Sequence, residues 1–372
     1  MQIQRHAIPS PSTGTSRELI TFHYGSAGQG KKVYIQSSLH ADEIPGMLVI
    51  HHLRTQLDIM EKKGQILGEI VLVPVANPIG LSQVVCGMPF GRFDIATGIN
   101  FNRSYRNLVL DLKQSLVGKL SSNTAENVHI IRKTVAQILT SHHPMSESEA
   151  MKNCLQLMAI DADIILDLHC ENEGILHLYT GTPLAKAAAP LAALLGAQVM
   201  LLAQESGGDP FDETCSKLWW ELAAHFGEHY PIPNACLSVT VELRGERDVA
   251  HLQAQQDATA ILAFLAHSGS VNIPSPALPT ERCIPTPLSG VELIHTPSAG
   301  MLIFLKNVGD YIEKGSAVAD IVDPVSGEKT KIYATVSGIM FARSARRYAH
   351  NGMNLAKIAG ADPIRTGQLL TQ

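Results

Sequence analysis

Apolar residues along the chain form short continuous runs that alternate with stretches of helical periodicity, up to about residue 267. Five of these runs have the length and apolar character that predict buried β-strands. They are VYIQSSL (33–39), IVLVPVA (70–76), DIILDLH (163–169), QVMLLA (198–203) and LSVTVEL (237–243). Several runs are apolar throughout, as is typical of strands whose two faces are both covered.

Between the predicted strands, the segments VHIIRKTVAQILTS and DVAHLQAQQDATAILAFLAH have apolar residues at helical spacing. Alternating strands and helices predict an α/β domain in which helices flank a mostly parallel mixed sheet. We expect this domain to cover residues 1–270.

The pattern changes beyond residue 270. Residues 271–287 contain five prolines, at 274, 276, 279, 285 and 287. Proline at this density disfavours both helices and central strands, so the segment predicts a linker. Short apolar runs separated by glycine turns follow, and they predict a small all-β domain over residues 288–372.

Composition narrows the class of protein. A chain of 372 residues with 45% hydrophobic residues can bury the cores of two domains. The net charge is −5 and the basic residues are not clustered, which argues against a nucleic-acid partner. The most apolar window, 187–203, contains Pro190, Gly196 and Gln198. It predicts a helix followed by a strand, so we expect no membrane partner.

The cysteines and the first residues bear on location. Six cysteines are scattered without a C-x-x-C pair, and MQIQRHAIPSPSTGTSRE lacks the apolar core of a signal peptide. We therefore expect a cytoplasmic protein with reduced thiols. The sequence leaves open whether it forms a homo-oligomer.

His40 and Glu43 lie in SSLHADEIPG (37–46), where a predicted strand leads into a helix. The H-x-x-E spacing places an imidazole and a carboxylate on one side of a turn. Zinc accepts both ligand types, and a catalytic zinc has three protein ligands and a water. His169 is the third candidate, because sites in open α/β sheets lie beyond the strands' carboxyl ends. The alternative is chance, since the chain has sixteen histidines.

Glu242 ends another predicted strand, in LSVTVELRGERD. A carboxylate there is costly to bury unless it has a role or a partner. Beside a zinc-bound water it could act as general base and then as acid to the leaving amine. The alternative is a salt bridge to Arg244 or Arg247.

Arg92, Asn102 and Arg103 lie in the loop MPFGRFDIATGINFNRSYRN (88–107), after the second predicted strand. A planar guanidinium can bind a carboxylate through two hydrogen bonds or stabilise an oxyanion. Surface arginines are common, so the loop alone does not define a site.

Taken together, these motifs resemble the succinylglutamate desuccinylase/aspartoacylase family of the zinc carboxypeptidase superfamily. Five elements occur in the family's order: H-x-x-E, an arginine, Asn-Arg, a strand-end histidine and a strand-end glutamate. The Asn-Pro of NPIG (77–80) is also similar to the family pattern. The resemblance covers the whole chain, because many long members of the family end in a small β domain.

The resemblance implies one zinc ion per chain, bound by His40, Glu43 and His169. It implies that Glu242 activates the water and that Arg92 polarises the scissile carbonyl. Asn102 and Arg103 would hold a carboxylate of a small N-acyl substrate, which is hydrolysed to a carboxylate and an amine.

One position departs from the family pattern. The family usually has Asp-Leu-Asn-Arg, in which the aspartate accepts a hydrogen bond from a zinc-binding histidine. This chain has Asn100-Phe101-Asn102-Arg103. Loss of the charge at Asn100 can lower metal affinity or activity roughly 10–100-fold, and Asp94 and Asp167 are the candidates to take over the role.

The C-terminal segment NVGDYIEKGSAVADIVDP resembles a turn of biotinyl and lipoyl carrier domains. Lys329 lies near the position of the modified lysine, but its flanking residues differ. We therefore expect an unmodified barrel-sandwich domain that packs beside the active-site mouth, limits substrate size or supports oligomerisation.

The sequence favours an amidohydrolase that deacylates a small N-acyl amino acid or related amine. Two alternatives remain: a zinc carboxypeptidase acting on peptides, and a non-catalytic relative. The acyl group and the amine are not determined by the sequence.

Overall fold

Nine strands form the central sheet of the computed structural model, which describes residues 1–280 and 282–370. The strands of this sheet are β1 (Gln2–Ile8), β2 (Arg17–Gly25), β3 (Lys32–Ser37), β4 (Glu69–Val73), β7 (Ile164–Glu171), β9 (Leu176–Gly181), β10 (Val199–Ala203), β11 (Leu237–Gly245) and β12 (Ile284–Pro287). Their order is β1-β2-β4-β3-β7-β11-β9-β10-β12.

The sheet is mixed and mostly parallel, which confirms the predicted fold class. The pairs β3–β4, β3–β7, β7–β11, β9–β10 and β10–β12 are parallel. The pairs β1–β2, β2–β4 and β9–β11 are antiparallel. All five strands expected from apolar runs are present, and β3, β7 and β11 place their carboxyl ends side by side.

Helices cover both faces of this sheet. They are α1 (Pro45–Lys62), α2 (Pro78–Leu81), α3 (Val109–Ser115), α4 (Thr124–Thr140), α5 (Glu147–Ala159), α6 (Ala185–Leu195), α7 (Phe211–Phe226) and α8 (His251–His267). One buried cluster includes residues of α1, α6 and α8, and a second includes residues of α3, α4, α5 and α7. In the described part of the chain, no helix has both the length and the apolarity to cross a membrane.

The remaining strands are short. They are β5 (Val84–Val85), β6 (Met88–Pro89), β8 (Glu173–Gly174), β13 (Val291–His295), β14 (Gly300–Phe304), β15 (Tyr311–Ile312), β16 (Ala317–Val322), β17 (Lys329–Tyr333), β18 (Gly338–Arg343), β19 (Tyr348–Ala349) and β20 (Asn354–Gly360). β5 and β6 form a hairpin.

The C-terminal strands form two antiparallel sheets, ordered β13-β20-β18-β15 and β17-β16-β14-β19. A separate cluster of buried side chains from both sheets forms their shared core. The predicted all-β architecture of this region is therefore confirmed. Lys329 is exposed at the start of β17, and its Nζ lies 2.7 Å from Asp320 Oδ2.

The predicted domain limits remain predictions. Residue 281 of the expected linker and residues 371–372 of the expected β domain lie outside the described residues. The linker segment also contributes β12, which pairs with β10 at the edge of the large sheet. An edge position suits this proline-rich strand, because proline has no backbone N–H to donate and an edge strand pairs on one side only. β8, which follows β7, pairs with β18 of the C-terminal sheet.

Candidate active site

His40, Glu43 and His169 meet at the carboxyl ends of β3 and β7. The Nδ1 atom of His40 lies 2.8 Å from Glu43 Oε1, and the Nδ1 atom of His169 lies 2.8 Å from Glu43 Oε2. All three side chains are buried, and their ligand atoms are close enough together to hold one metal ion.

The local sequence explains how the turn positions Glu43. The chain leaves β3 through Ser38, which has a φ of 62°, and Pro45 occupies the first turn of α1. Gly46 lets the helix approach the sheet closely. A Cβ atom at this glycine would lie 2.7 Å from Ser37 Cβ and 3.0 Å from Leu168 Cβ. The start of α1, and Glu43 just before it, is therefore held against β3, which leads into the turn with His40, and against β7, which carries His169.

The other ring nitrogens have partners of their own. His40 Nε2 lies 2.8 Å from Asn100 Oδ1, which also accepts a 2.8 Å hydrogen bond from the Asn102 backbone N–H. His169 Nε2 lies 3.0 Å from Asp167 Oδ2. Such contacts fix the orientation of metal-binding imidazoles. Both Nδ1 atoms are thus directed at Glu43.

Neither aspartate considered as a replacement for a charge at position 100 contacts His40. Asp94 accepts hydrogen bonds from the Ala96 backbone N–H and the Thr97 hydroxyl in its own turn. Asp167 instead contacts His169. Asn100 is therefore the residue that orients His40.

The two histidines differ in charge state. Burial, reinforced by the Arg92 guanidinium, lowers the pKa of His40 to about 4. Burial acts in the same direction on His169, but the carboxylates of Asp167 and Glu43 raise its pKa well above the usual value. A metal ion would have to displace the proton of His169, as metal binding to protonated ligands generally does.

Glu242 lies on β11, in register with His169 on β7 and with His177 on β9. Its Oε2 atom is buried and has no hydrogen-bond partner among the described residues. Burial raises the pKa of Glu242 to about 8, and the nearby carboxylates of Glu171 and Glu43 add to the shift. A cation beside this carboxyl group would favour its ionised form.

The salt bridge considered for Glu242 does not form with Arg244. The Arg244 guanidinium instead makes two hydrogen bonds, of 2.8 and 2.9 Å, to the Asp257 carboxylate.

Arg92 borders the histidine cluster. Its Nη1 atom lies 3.1 Å from Glu43 Oε1 and 3.3 Å from His40 Nδ1, while 40% of its side chain is exposed. The guanidinium can therefore reach both the cluster and a molecule in the space beside it.

Asn102 and Arg103 are buried on the same side. Asn102 Oδ1 accepts a 2.9 Å hydrogen bond from the Phe211 N–H at the start of α7, which fixes the amide. Burial lowers the pKa of Arg103 to about 10, within the range where it keeps its charge at neutral pH. Lys152 Nζ donates hydrogen bonds to two backbone oxygens of this loop, Asn100 O at 3.2 Å and Arg103 O at 2.7 Å.

A single cleft connects these groups. It contains about 810 Å³ of empty space, open solvent at its mouth included. Seven of the eight predicted site residues line it, namely His40, Glu43, Arg92, Asn102, Arg103, His169 and Glu242. Asn100, the eighth, is buried next to His40.

Comparison with known proteins identifies the family. Residues 29–268, well over half of the chain, match the succinylglutamate desuccinylase/aspartoacylase catalytic domain. The chain belongs to the succinylglutamate desuccinylase/aspartoacylase family.

Solved structures of this family share the fold. A family protein from Shewanella amazonensis is 26% identical, with 96% of this chain and 98% of that chain covered and a TM-score of 0.85. One from Shewanella frigidimarina is also 26% identical, with 96% and 97% covered and a TM-score of 0.85. A third, from Rhodobacter sphaeroides, is 15% identical over 97% and 96% of the chains, with a TM-score of 0.67. No curated protein matches the chain.

The cleft includes a lysine that sequence reasoning missed. Lys357 on β20 lines the cleft, and its Nζ lies 2.5 Å from Glu171 Oε1. Glu171 follows His169 by two residues on β7, so both point to one face of the sheet. That spacing was a usable signal for Glu171, but nothing near Lys357 in the sequence indicated its position.

Arg343 on β18 and Arg347, in the loop before β19, bind the segment after β7. Arg343 Nε lies 2.7 Å from Glu173 Oε2, and Arg347 Nη2 lies 2.6 Å from Glu173 Oε1. Together with the β8–β18 pairing, these contacts fix the C-terminal sheet that contains β18 beside the cleft.

Asp212 was also missed. It lies in the first turn of α7 and lines the cleft. Burial raises its pKa to about 7, and the neighbouring Glu213 carboxylate adds to the shift. The cleft therefore contains acidic as well as basic groups away from the histidines.

Proposed function

We propose that this protein is a zinc-dependent amidohydrolase that deacylates a small N-acyl amino acid or a related amine. One observation carries the proposal. Two imidazole nitrogens and a carboxylate converge in one cleft, and Glu242 lies beside His169 on the neighbouring strand. Membership of a family named for desuccinylases and aspartoacylases supports the same reaction class.

The residues present fit zinc. His40, Glu43 and His169 would hold the ion, and nitrogen and carboxylate oxygen are donor types that zinc accepts. Their supporting contacts to Asn100 and Asp167 are those expected around metal-binding histidines. When bound, zinc lowers the pKa of a coordinated water to about 7 and polarises a carbonyl group.

The protein's own groups would move the protons. Glu242 takes a proton from the attacking water and delivers it to the nitrogen of the amide, whose bond to the acyl carbon then breaks. The products are a carboxylate and an amine. Arg92 donates a hydrogen bond to the carbonyl oxygen as negative charge develops there.

The other end of the substrate would be held by the loop after β6. Asn102 and Arg103 line the cleft near the cluster and would bind a substrate carboxylate through amide and guanidinium donors. Correct placement of the amide depends on this contact, because alignment of the reacting groups contributes much of the rate enhancement.

Small substrates suit the cleft better than peptides. Leu288, Lys357 and Leu370, from the region after residue 287, form part of its wall. A long open groove of the kind that a peptidase needs would require this wall to be absent.

The test is turnover by the zinc-loaded protein with panels of N-acyl amino acids, N-acyl amines and short peptides. Zinc content is measured in parallel by mass spectrometry. We expect about one zinc per chain and metal-dependent release of amine from N-acyl substrates, with little release from peptides.

Glu242→Gln distinguishes catalysis from metal binding. This variant should keep the zinc and the fold, but its turnover rate should fall roughly 10²–10⁴-fold, the usual contribution of a general base. Glu246→Gln is the matched control, because Glu246 lies just beyond β11 and outside the cleft lining. Full activity of Glu242→Gln would exclude it as the base, and absence of zinc would favour a non-catalytic relative.

A further inference from the structure

The cleft is chemically divided. The histidine cluster lies at the ends of β3 and β7, whereas apolar side chains line the cleft on β10, on α7 and in the C-terminal region. The apolar lining consists of Leu201, Ala203, Leu288, Leu370 and Trp220, with Tyr179 between the two parts. We call these side chains the apolar pocket. They have no role in the proposed acid–base chemistry, but they can contact a bound substrate.

The strand register builds this pocket. On β9 and β10, Tyr179 pairs with Leu201 and Gly181 pairs with Ala203. Alternate residues of a strand face one side of the sheet. Tyr179 and Gly181 therefore face the same side as His177, which is in register with Glu242.

Small residues leave the space. Gly181 lies directly against the Trp220 ring of α7, since a Cβ atom at this glycine would be 2.6 Å from the ring atom Cη2. The neighbouring Ala203 has only a methyl group. Gly181 therefore lets the indole pack directly on the β9 backbone, and the indole, Gly181 and the Ala203 methyl group line the cleft side by side.

The walls of the pocket are firmly backed. Leu201 and Leu288 are 1% and 4% exposed, and both belong to a buried cluster with Phe341 of the C-terminal sheet. Leu370 packs against the same cluster. The backbone N–H of Leu369 donates a 2.8 Å hydrogen bond to Ser206 O, which holds the adjacent Leu370 at the cleft.

The pocket lies within reach of a substrate bound at the cluster. From β7 to β10 the sheet order crosses β11 and β9, which makes three strand spacings. At about 4.8 Å each, they separate His169 from the β10 wall by roughly 14 Å between backbones. Side chains project into this gap from both ends, so an arm of a few carbon atoms would bridge the remainder.

We propose that the substrate carries an apolar arm, aliphatic or aromatic, which extends from the scissile amide into this pocket. The inference rests on the proposed amidohydrolase function and adds the substrate class to it. The arm could belong to the acyl group or to the amine-bearing half, and both present the same apolar surface. Burial of each added methylene should raise kcat/KM roughly fourfold until the pocket is full.

Two substrate series separate the sources of the arm. The first extends the acyl group of an N-acylglycine from acetyl through butanoyl to hexanoyl. The second keeps the acetyl group and changes the amino acid from glycine to norvaline, leucine and phenylalanine. N-succinylglutamate and N-acetylaspartate serve as charged comparisons. We expect a steep rise along one series and weaker use of the charged compounds.

Ala203→Leu tests the location. The added side chain should project into the apolar pocket and shorten the preferred arm, with a loss of at least tenfold on the longest good substrate and little change on its acetyl or glycine counterpart. Ala277→Leu makes the same change at an exposed position outside the cleft lining and should leave the length profile unaltered.

Binding of both series to the zinc-loaded protein, measured by isothermal titration calorimetry, keeps the inference testable without turnover. Affinity should follow the same length dependence and the same loss in Ala203→Leu. A flat profile in both series, a preference for the dicarboxylates, or an unchanged profile in Ala203→Leu would overturn the apolar arm. Length-dependent binding without hydrolysis would overturn the amidohydrolase proposal and leave the pocket assignment standing.

Discussion

Replacement of Asn100 by aspartate should strengthen metal binding. Asn100 Oδ1 lies 2.8 Å from His40 Nε2 and accepts a hydrogen bond from the Asn102 N–H. A carboxylate can keep both contacts and adds a negative charge next to the imidazole. Asn100→Asp therefore changes the charge of the acceptor without removing a hydrogen bond.

The size of the effect follows from that single contact. A neutral hydrogen bond contributes about 1 kcal/mol net, and one to a charged group about 1.5–3 kcal/mol. The difference of about 1 kcal/mol corresponds to roughly fivefold tighter zinc binding. Burial of the new carboxylate opposes this gain, because Asn100 is only 3% exposed. The ammonium of Lys152, 3.2 Å from Asn100 O, offsets part of that cost.

The assay is competition for zinc with a chromophoric chelator at constant pH and salt. Asn100→Ala, which removes both hydrogen bonds, should bind zinc roughly 10–100-fold more weakly than the wild type. Asn123→Asp is the matched control. It makes the same substitution at the N-cap of α4, where aspartate is as well accepted as asparagine.

Two results would refute the reasoning. If Asn100→Ala retained wild-type zinc affinity and thermal stability, the contact to His40 would have no influence on the metal. If Asn100→Asp bound zinc more weakly while remaining folded, the desolvation of its carboxylate would outweigh the stronger hydrogen bond.

Three further substitutions test other parts of the structure. Gly46→Ala should lower zinc affinity and thermal stability together, because its Cβ would lie 2.7 Å from Ser37 Cβ; unchanged values for both would show that α1 can shift freely. Lys357→Met breaks the ion pair with Glu171 and should weaken catalysis, whereas Lys357→Arg should retain it. Lys329→Met breaks a lysine–carboxylate pair away from the cleft and should have no effect on kcat or KM. Burial lowers the pKa of Lys152 from 10.5 to about 8, so the unfolded chain binds more protons between these values. The free energy of unfolding should therefore rise from pH 8 to 10.5 in the wild type relative to Lys152→Met. The same pH dependence of urea unfolding in both proteins would contradict this.

Much of the fold could be predicted from the sequence, because burial leaves a local pattern. The five apolar runs became β3, β4, β7, β10 and β11, since a strand covered on both faces must be apolar throughout. Four strands of the central sheet, β1, β2, β9 and β12, were not predicted. β1 is an edge strand with mostly exposed side chains, and β9 mixes His177 and Thr180 with its apolar residues.

The candidate site could be predicted in part, because its residues follow strand ends. The H-x-x-E spacing is local, and parallel strands bring their carboxyl ends together whatever the order of the sheet. These two facts were enough to group His40, Glu43, His169 and Glu242. The roles assigned to them remain predictions until metal binding and turnover are measured.

Only the tertiary structure decided the partners of these groups. The approach of Lys357 to Glu171 and the packing of Trp220 on Gly181 join segments far apart in the chain, and the contact of Asp167 with His169 depends on side-chain direction. A sequence pattern records that a residue is buried or capped, because that depends on its immediate neighbours. It does not record which remote residue it meets, because that is set by strand order, register and the packing of α7 and the C-terminal sheets around one cleft.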